Sequence, residues 1–458
     1  MTAKDTTVET FNRDLLTFID NSPTPFHAVA NMREVLDKAG FTALDATADW
    51  STLSLEALDR SYVVRNGSSI VILANMAALA EPEAISRGLR LYGAHTDSPC
   101  LKLKPLPALS RHGTGQLGVE IYGGALLNPW FDRDLSMAGR VVVTTSKDER
   151  RSLLIDFRRA IATVPSLAIH LDREVNQNRS VNPQKHMPPV MLLEQVGGAG
   201  FSTERFEQLL LDEARKTAGD DSLKRVVSWE LSLYDTQPGA IIGVESQMLA
   251  SARLDNLLSC HVGLQAMLDS KSSEPCVLVF NDHEEVGSQS AEGAEGNLLP
   301  STIQRMVAAV RSDSTTEDVS VRAHRLLERS FMVSADNAHA IHPNYPDRHD
   351  ENHGPQLNRG PVIKVNHNQR YATNAVTSAF YEELASGCNL PWQSFVVRTD
   401  MACGSTIGPI TASALGVKTL DIGMPQWAMH SIRELCGSED PHNFYTVMKA
   451  YFSRQTLP

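Results

Sequence analysis

The sequence predicts an α/β fold: a mixed, largely parallel sheet covered by helices and interrupted by a β-rich insert. Three observations carry this. From about residue 247 onward, apolar runs at 276–280, 331–335, 361–365, 394–398 and 417–422 are separated by helical patterns. Strands that alternate with helices imply a largely parallel sheet with both faces covered. Two further runs, "SSIVILAN" (68–75) and "GLRLYGAH" (88–95), stand near the N-terminus. Between residues 101 and 244 the texture changes to glycine-punctuated, short alternating runs, the pattern of antiparallel strands and turns. The simplest organisation is a discontinuous α/β domain of residues 1–100 and 245–458, interrupted by an insert of residues 101–244.

Each element has a local reason. Residues 11–38 predict a helix, a break at "NSPTPF" and a second helix. Pro23 and Pro25 supply the break, and Val29, Met32, Val35 and Leu36 recur at helical spacing after it. In the insert, "LGVEIYGGALLNPWFDRDLSMAGRVVVTTS" (117–146) and "RVVSWELSLYDTQPGAIIGV" (225–244) predict strands and turns, and "EQLLLDEARKTAG" (207–219) predicts a helix. "ASARLDNLLSCHVGLQAMLDS" (250–270) predicts a helix with Leu257, Cys260, Leu264 and Met267 or Leu268 on one face. No repeat or low-complexity segment is visible, and "CGSTIGP" lacks the lysine of a phosphate loop.

Composition narrows the function. The 458 residues are 42% hydrophobic and 21% charged, with a formal charge of −12 and a pI of about 5.7. That balance argues against nucleic-acid binding, which needs a basic face. No run reaches the roughly 18 apolar residues of a membrane span. The opening "MTAKDTTVETFNRDLL" has no apolar core of a secretory signal. The six cysteines are scattered and none forms CxxC. They fit reduced thiols in a cytoplasmic protein, not a zinc–thiolate site.

The chemistry concentrates where predicted strands end. "VLVFNDHEEVGSQSAEG" (277–293) leaves an apolar run into Asp282, His283, Glu284 and Glu285. Adjacent carboxylates repel and are costly to bury alone, so they are either solvated or held by something cationic. Open α/β sheets bind ligands at the carboxyl ends of their strands. There the sequence places His95 and Asp97 after "LRLYGA", Asp336 and His339 after "FMVSA", and His430 after "KTLDIGMPQWAM"; Asp255 opens the helix at "ARLDN". Two histidines, His95 and His430, with three carboxylates, Asp255, Glu285 and Asp336, can supply two divalent metals. Each would take one histidine, one private carboxylate and a share of a bridging carboxylate. Imidazole with carboxylate suits zinc, and also cobalt or manganese. Two such ions promote hydrolysis by polarising a carbonyl and acidifying a bridging water. Glu284, pointing away from its neighbour Glu285, is then the candidate general base. Asp97 can accept the second imidazole N–H of His95. Taken singly, each has an ordinary explanation: a satisfied structural histidine, a solvated acidic loop, or a helix cap for Asp255. Their convergence on successive strand ends is what favours the metal centre.

"FIDNSPTPFHAV", "YGAHTDSPCLKLKP", "ARLDNL", "NDHEEVGS", "SADNAHAIHPNY", "GPVIKVNHNQRYATN" and "GMPQWAMHSIRE" run in order from about residue 18 to 434. This series resembles that of the aspartyl aminopeptidase family of metallopeptidases. The resemblance implies a phosphorylase/hydrolase-like α/β catalytic domain with two zinc ions and an inserted dimerisation domain. It implies that His95 and Asp336 hold one metal, that Glu285 and His430 hold the other, that Asp255 bridges them and that Glu284 is the base. It also implies removal of N-terminal aspartate and glutamate from short peptides, with Lys364, His339 and Tyr371 as substrate contacts. His170, in the insert, would reach a neighbouring subunit's site. Dimers would assemble into a tetrahedral dodecamer. On residues alone, Lys364 is better explained as an edge-strand lysine, and His170 as a structural histidine. The competing expectations are a broader aminopeptidase, a metal-dependent deacylase with the same centre, and a non-catalytic scaffold.

Overall fold

The computed structural model describes residues 7–80, 87–310 and 318–458. The first six residues, part of the stretch read for a secretory signal, lie outside it. Among the described residues no helix is long and apolar enough to cross a membrane.

The fold is mixed α/β. A nine-stranded sheet runs in the order Thr42–Ala43, Arg60–Arg65, Ser69–Ala74, Cys276–Asn281, Arg90–His95, Phe331–Ala335, Lys418–Gly423, Val362–Lys364 and Gln393–Phe395. Its centre is parallel: Cys276–Asn281, Arg90–His95, Phe331–Ala335 and Lys418–Gly423 all run the same way. Strand side chains alternate between faces, and both faces are buried here. Cys276, Leu278 and Phe280 join one apolar cluster with the helices Val8–Asp20, Pro25–Lys38, Leu254–Asp269, Ala375–Gly387 and Asp440–Phe452. Val277 and Val279 join a second cluster with Leu298–Ala309 and Val319–Glu328. Two-sided burial explains why these strands read as unbroken apolar runs.

The two N-terminal helices follow their caps. The Thr7 hydroxyl accepts from the Thr10 N–H at 3.2 Å. Pro25 occupies the first turn of the second helix, where its missing N–H is harmless.

Residues from the insert form a six-stranded antiparallel sheet, in the order Arg150–Asp156, Leu135–Thr145, Leu223–Asp235, Cys100–Arg111, Thr114–Tyr122 and Val190–Leu193. The helix Thr203–Ala218 covers one face through Phe206, Leu210 and Leu211. It ends where Gly219 adopts the left-handed conformation.

Two expectations change. Residues 240–242, assigned to the insert, pair instead with Met248–Ser251. They open a third, five-stranded sheet that continues through Glu434–Gly437, Pro425–Trp427 and Ala338–His339. Its strands have only two to four residues each, too short to show periodicity. The predicted helix from 250 also begins later. Met248–Ser251 is a strand, and the helix Leu254–Asp269 follows a left-handed Arg253, with non-helical dihedrals at Asp255 and Asn256.

Candidate metal centre

Register brings the ligand-type residues to one edge. Asn281 lies opposite His95, and Ser334 lies opposite Gly93, so the strand ends that carry His95, Glu284/Glu285 and Asp336 are level. After Asn281 the chain enters a tight turn, with His283 and Gly287 both left-handed around the short helix Glu284–Val286. The N–H groups of Glu284 and Glu285 donate to the Asp97 carboxylate at 3.2 and 3.0 Å. The Tyr122 hydroxyl donates to the same carboxylate at 2.7 Å. Asp97 therefore anchors the turn as well as contacting His95, whose Nδ1 lies 3.1 Å from the Asp97 carbonyl and 3.4 Å from its carboxylate.

His430 arrives by another route than expected. It does not leave the Lys418–Gly423 strand directly but sits in the turn of the hairpin Pro425–Trp427/Glu434–Gly437. Its Nδ1 lies 3.2 Å from the Gly124 carbonyl. Both imidazoles thus present Nδ1 to a carbonyl oxygen, which makes Nδ1–H a donor and turns Nε2 toward the carboxylates, where it would meet a metal.

The Nε2 atoms face carboxylates. That of His95 lies 3.4 Å from Asp255 Oδ1 and 3.6 Å from Asp336 Oδ1. That of His430 lies 3.3 Å from Glu285 Oε2 and 3.8 Å from Asp255 Oδ2. Among the described residues three triads result, each with donor atoms within 4.8 Å of one another: His95/Asp255/Asp336, Asp255/Glu285/His430 and His95/Glu284/Glu285; the first two share Asp255. Asp255 offers one oxygen to each of these two. Asp255 Oδ1 and Glu285 Oε1 are buried and have no hydrogen-bond partner. A buried carboxylate oxygen without a donor is costly, and a divalent cation would satisfy both. The residues present therefore fit zinc.

The electrostatics agree. Burial pushes the Glu284 carboxyl up to about 8, with Asp336, Asp97 and Asp255 adding repulsion against the opposing pull of His95. Burial and then Asp255 raise Glu285 well above the ordinary range. Burial and then Asp336 raise Asp255. Burial alone would lower His95, but its contacts with Asp255, Asp336 and Asp97 hold it well above the usual histidine value. Burial alone would raise Asp336, but Lys364 and His95 outweigh it and hold the group below the ordinary carboxylate range. Without a cation it is Glu284, Glu285 and Asp255 that tend to keep protons.

The triads line a pocket of about 570 Å³ together with Glu284, His339, Lys364, Arg370 and Tyr371. Lys364 is 2% exposed and donates to Asp336 Oδ2 at 3.2 Å and to the Asn337 carbonyl at 3.3 Å. Its ammonium lies 5.1 Å from the Tyr371 ring centre. His339 stacks edge-on to Phe395 at 5.9 Å. His170 is not brought into this pocket; it lies exposed in the insert, between exposed Leu167, Ile169 and Leu171.

Several neighbours were not read from the sequence. A Cβ on Gly124 would lie 3.3 Å from His430 Nδ1, and one on Gly123, at φ +67, would lie 3.1 Å from Glu285 Cβ. The "YGG" after the strand Thr114–Tyr122 was the available signal. Glu434 and Arg370 stand inside quoted motifs, but nothing local marks them.

Two histidines and four carboxylates gathered around one pocket define a candidate metal centre. Comparison with known proteins narrows this. Residues 18–452 match the family described as aminopeptidase I zinc metalloprotease (M18), and the chain belongs to that family. It is 52% identical over 452 residues to a probable M18 family aminopeptidase 2 of Pseudomonas entomophila, covering 98% of this chain and 100% of the relative. A cryo-electron microscopy structure of an Ape4 and Nbr1 complex superposes with a TM-score of 0.89 at 36% identity, over 99% of this chain and 88% of that one. The mApe1 dodecamer of S. cerevisiae superposes with a TM-score of 0.82 at 27% identity, over 98% and 97%.

Proposed function

We propose that this zinc aminopeptidase uses two metal ions and removes N-terminal aspartate and glutamate from short peptides. The observation that carries the reading is the pair of ligand triads sharing Asp255. His95 and Asp336 would hold one ion and Glu285 and His430 the other. When bound, the ions polarise the scissile carbonyl and acidify water. Glu284 lines the pocket beside both triads without belonging to the bridged pair, and its carboxylate takes the proton of the attacking water. It then returns that proton to the leaving amine. Asp97 fixes the Glu284–Glu285 turn and orients His95.

The acidic preference rests on the pocket's cations. Lys364 uses two of its three ammonium donors on Asp336 and Asn337, which leaves one for a substrate carboxylate. Tyr371 and His339 flank it. Arg370 lines the same pocket. The insert, residues 101–244, would serve self-association: its exposed Leu167, Ile169 and Leu171 suit burial against another copy, and His170 would then reach a neighbour's pocket. A dodecamer, as in the S. cerevisiae relative, is the proposed assembly, and the cytoplasm the proposed compartment.

Lys364→Met tests the pocket. Turnover of Asp-terminated substrates is expected to fall at least about tenfold more than that of Leu-terminated ones, a difference of about 1.4 kcal/mol. Equal losses on both would leave Lys364 only the task of holding Asp336.

A further inference from the structure

Both backbone N–H groups that fix Asp255 and His430 are satisfied by one side chain. Glu434 is 1% exposed. Its Oε2 accepts from the Asp255 N–H at 2.9 Å, and its Oε1 accepts from the His430 N–H at 2.7 Å. Neither segment can supply these partners itself. Asp255 lies at the start of a helix, where N–H groups have no intrahelical acceptor, and its ψ of 105° is not helical. His430 has a φ of +67°, an uncommon conformation for a residue other than glycine. Gln426 Nε2 lies 3.5 Å from Glu434 Oε1, and Gln426 in turn accepts from Asn337, the neighbour of Asp336, at 2.7 Å.

We infer that Glu434 is a positioning residue for the metal centre: its carboxylate sets the distance between the bridging ligand Asp255 and the imidazole ligand His430. The inference rests on the two-metal reading above. The chemistry explains why the residue is a glutamate. Two converging N–H donors require two acceptor oxygens, and an amide of the same size offers one oxygen and a second donor. Glu434→Gln would set an N–H against an N–H and displace one ligand from the other.

The test is zinc affinity, measured by competition with a chromophoric chelator on metal-stripped protein, together with the visible spectrum of the cobalt-loaded form. Loss of an outer partner typically weakens metal binding by about 10–100-fold. Glu434→Gln is expected to show that loss and a changed cobalt spectrum. Asp440→Asn is the control. Asp440 is also buried and accepts two backbone N–H groups, from Asn358 at 2.7 Å and Gly360 at 2.9 Å, but it touches no ligand. It is expected to lower the melting temperature and leave zinc affinity unchanged. A Glu434→Gln protein that behaves like Asp440→Asn overturns the inference. If Glu434→Gln does not fold, Glu434→Asp, which keeps the carboxyl group but is too short to reach both amides, is expected to show the weakened affinity. Wild-type affinity in that variant overturns the inference. Wild-type protein that binds no zinc overturns the two-metal reading itself.

Discussion

Glu284→Gln separates proton transfer from metal binding. The Glu284 carboxylate has no hydrogen-bond partner among the described residues, and its only hydrogen bond to Asp97 is made by its backbone N–H. The substitution therefore keeps the side-chain shape and breaks no contact. In the metal-free protein burial raises the Glu284 carboxyl to about 8, so at neutral pH it is largely protonated and a neutral amide replaces a mostly neutral acid. In the presence of chelator the variant is expected to melt no lower than the parent. Catalysis is a different matter. A positioned general base contributes about 10²–10⁴-fold, so kcat on an Asp-terminated chromogenic peptide is expected to fall by that factor, about 3–5 kcal/mol of barrier. KM and zinc content are expected to stay near wild type. The assay is steady-state kinetics alongside elemental analysis of the same preparation. A rate within about tenfold of wild type with zinc intact would refute Glu284 as the base. Loss of zinc together with rate would make it a ligand, which its closeness to His95 and Glu285 allows as a distinct outcome.

Two further predictions concern other parts of the fold. Gly124→Ala places a methyl 3.3 Å from His430 Nδ1 and pushes the ring by a few tenths of an ångström. Zinc titration is expected to show one site weakened by about tenfold and the His95/Asp336 site unchanged. His261 is buried against Phe11 and Phe18, and burial pushes it down to about 3. It stays neutral when folded and protonates when unfolded, so stability is fully present above its unfolded value of 6.5 and falls as pH drops from there toward 3. His261→Leu is expected to remove about 2 kcal/mol of the loss between about pH 7 and pH 5, read from denaturant melts at both values.

Most of the ligand-type residues that the structure gathers were legible because they follow a feature that sequence displays. His95, Glu285 and Asp336 come directly after apolar strands buried on both faces, and parallel strands deliver their C-terminal residues to one edge. The supporting groups were not legible, because their partners are remote. Gly124 meets His430 306 positions away, and Asp255 meets Glu434 179 positions away. Neither contact leaves a local pattern. The third sheet stayed hidden because its strands have at most four residues, so residues 240–242 looked like part of the insert and His430 looked like the end of a longer strand. Lys364 carried two readings in the sequence. In the fold it is fully buried at the site and holds Asp336, which removes the edge-strand explanation and leaves its contact with substrate to experiment.

The most direct test of the account is turnover of Asp-, Glu-, Leu- and Ala-terminated chromogenic substrates by metal-stripped protein as zinc is returned in counted equivalents. Activity confined to Asp and Glu, reaching its plateau at two zinc ions per chain, is the predicted result. A plateau at one zinc ion, or equal rates on Leu and Ala, would contradict the shared-Asp255 centre or the acidic pocket respectively.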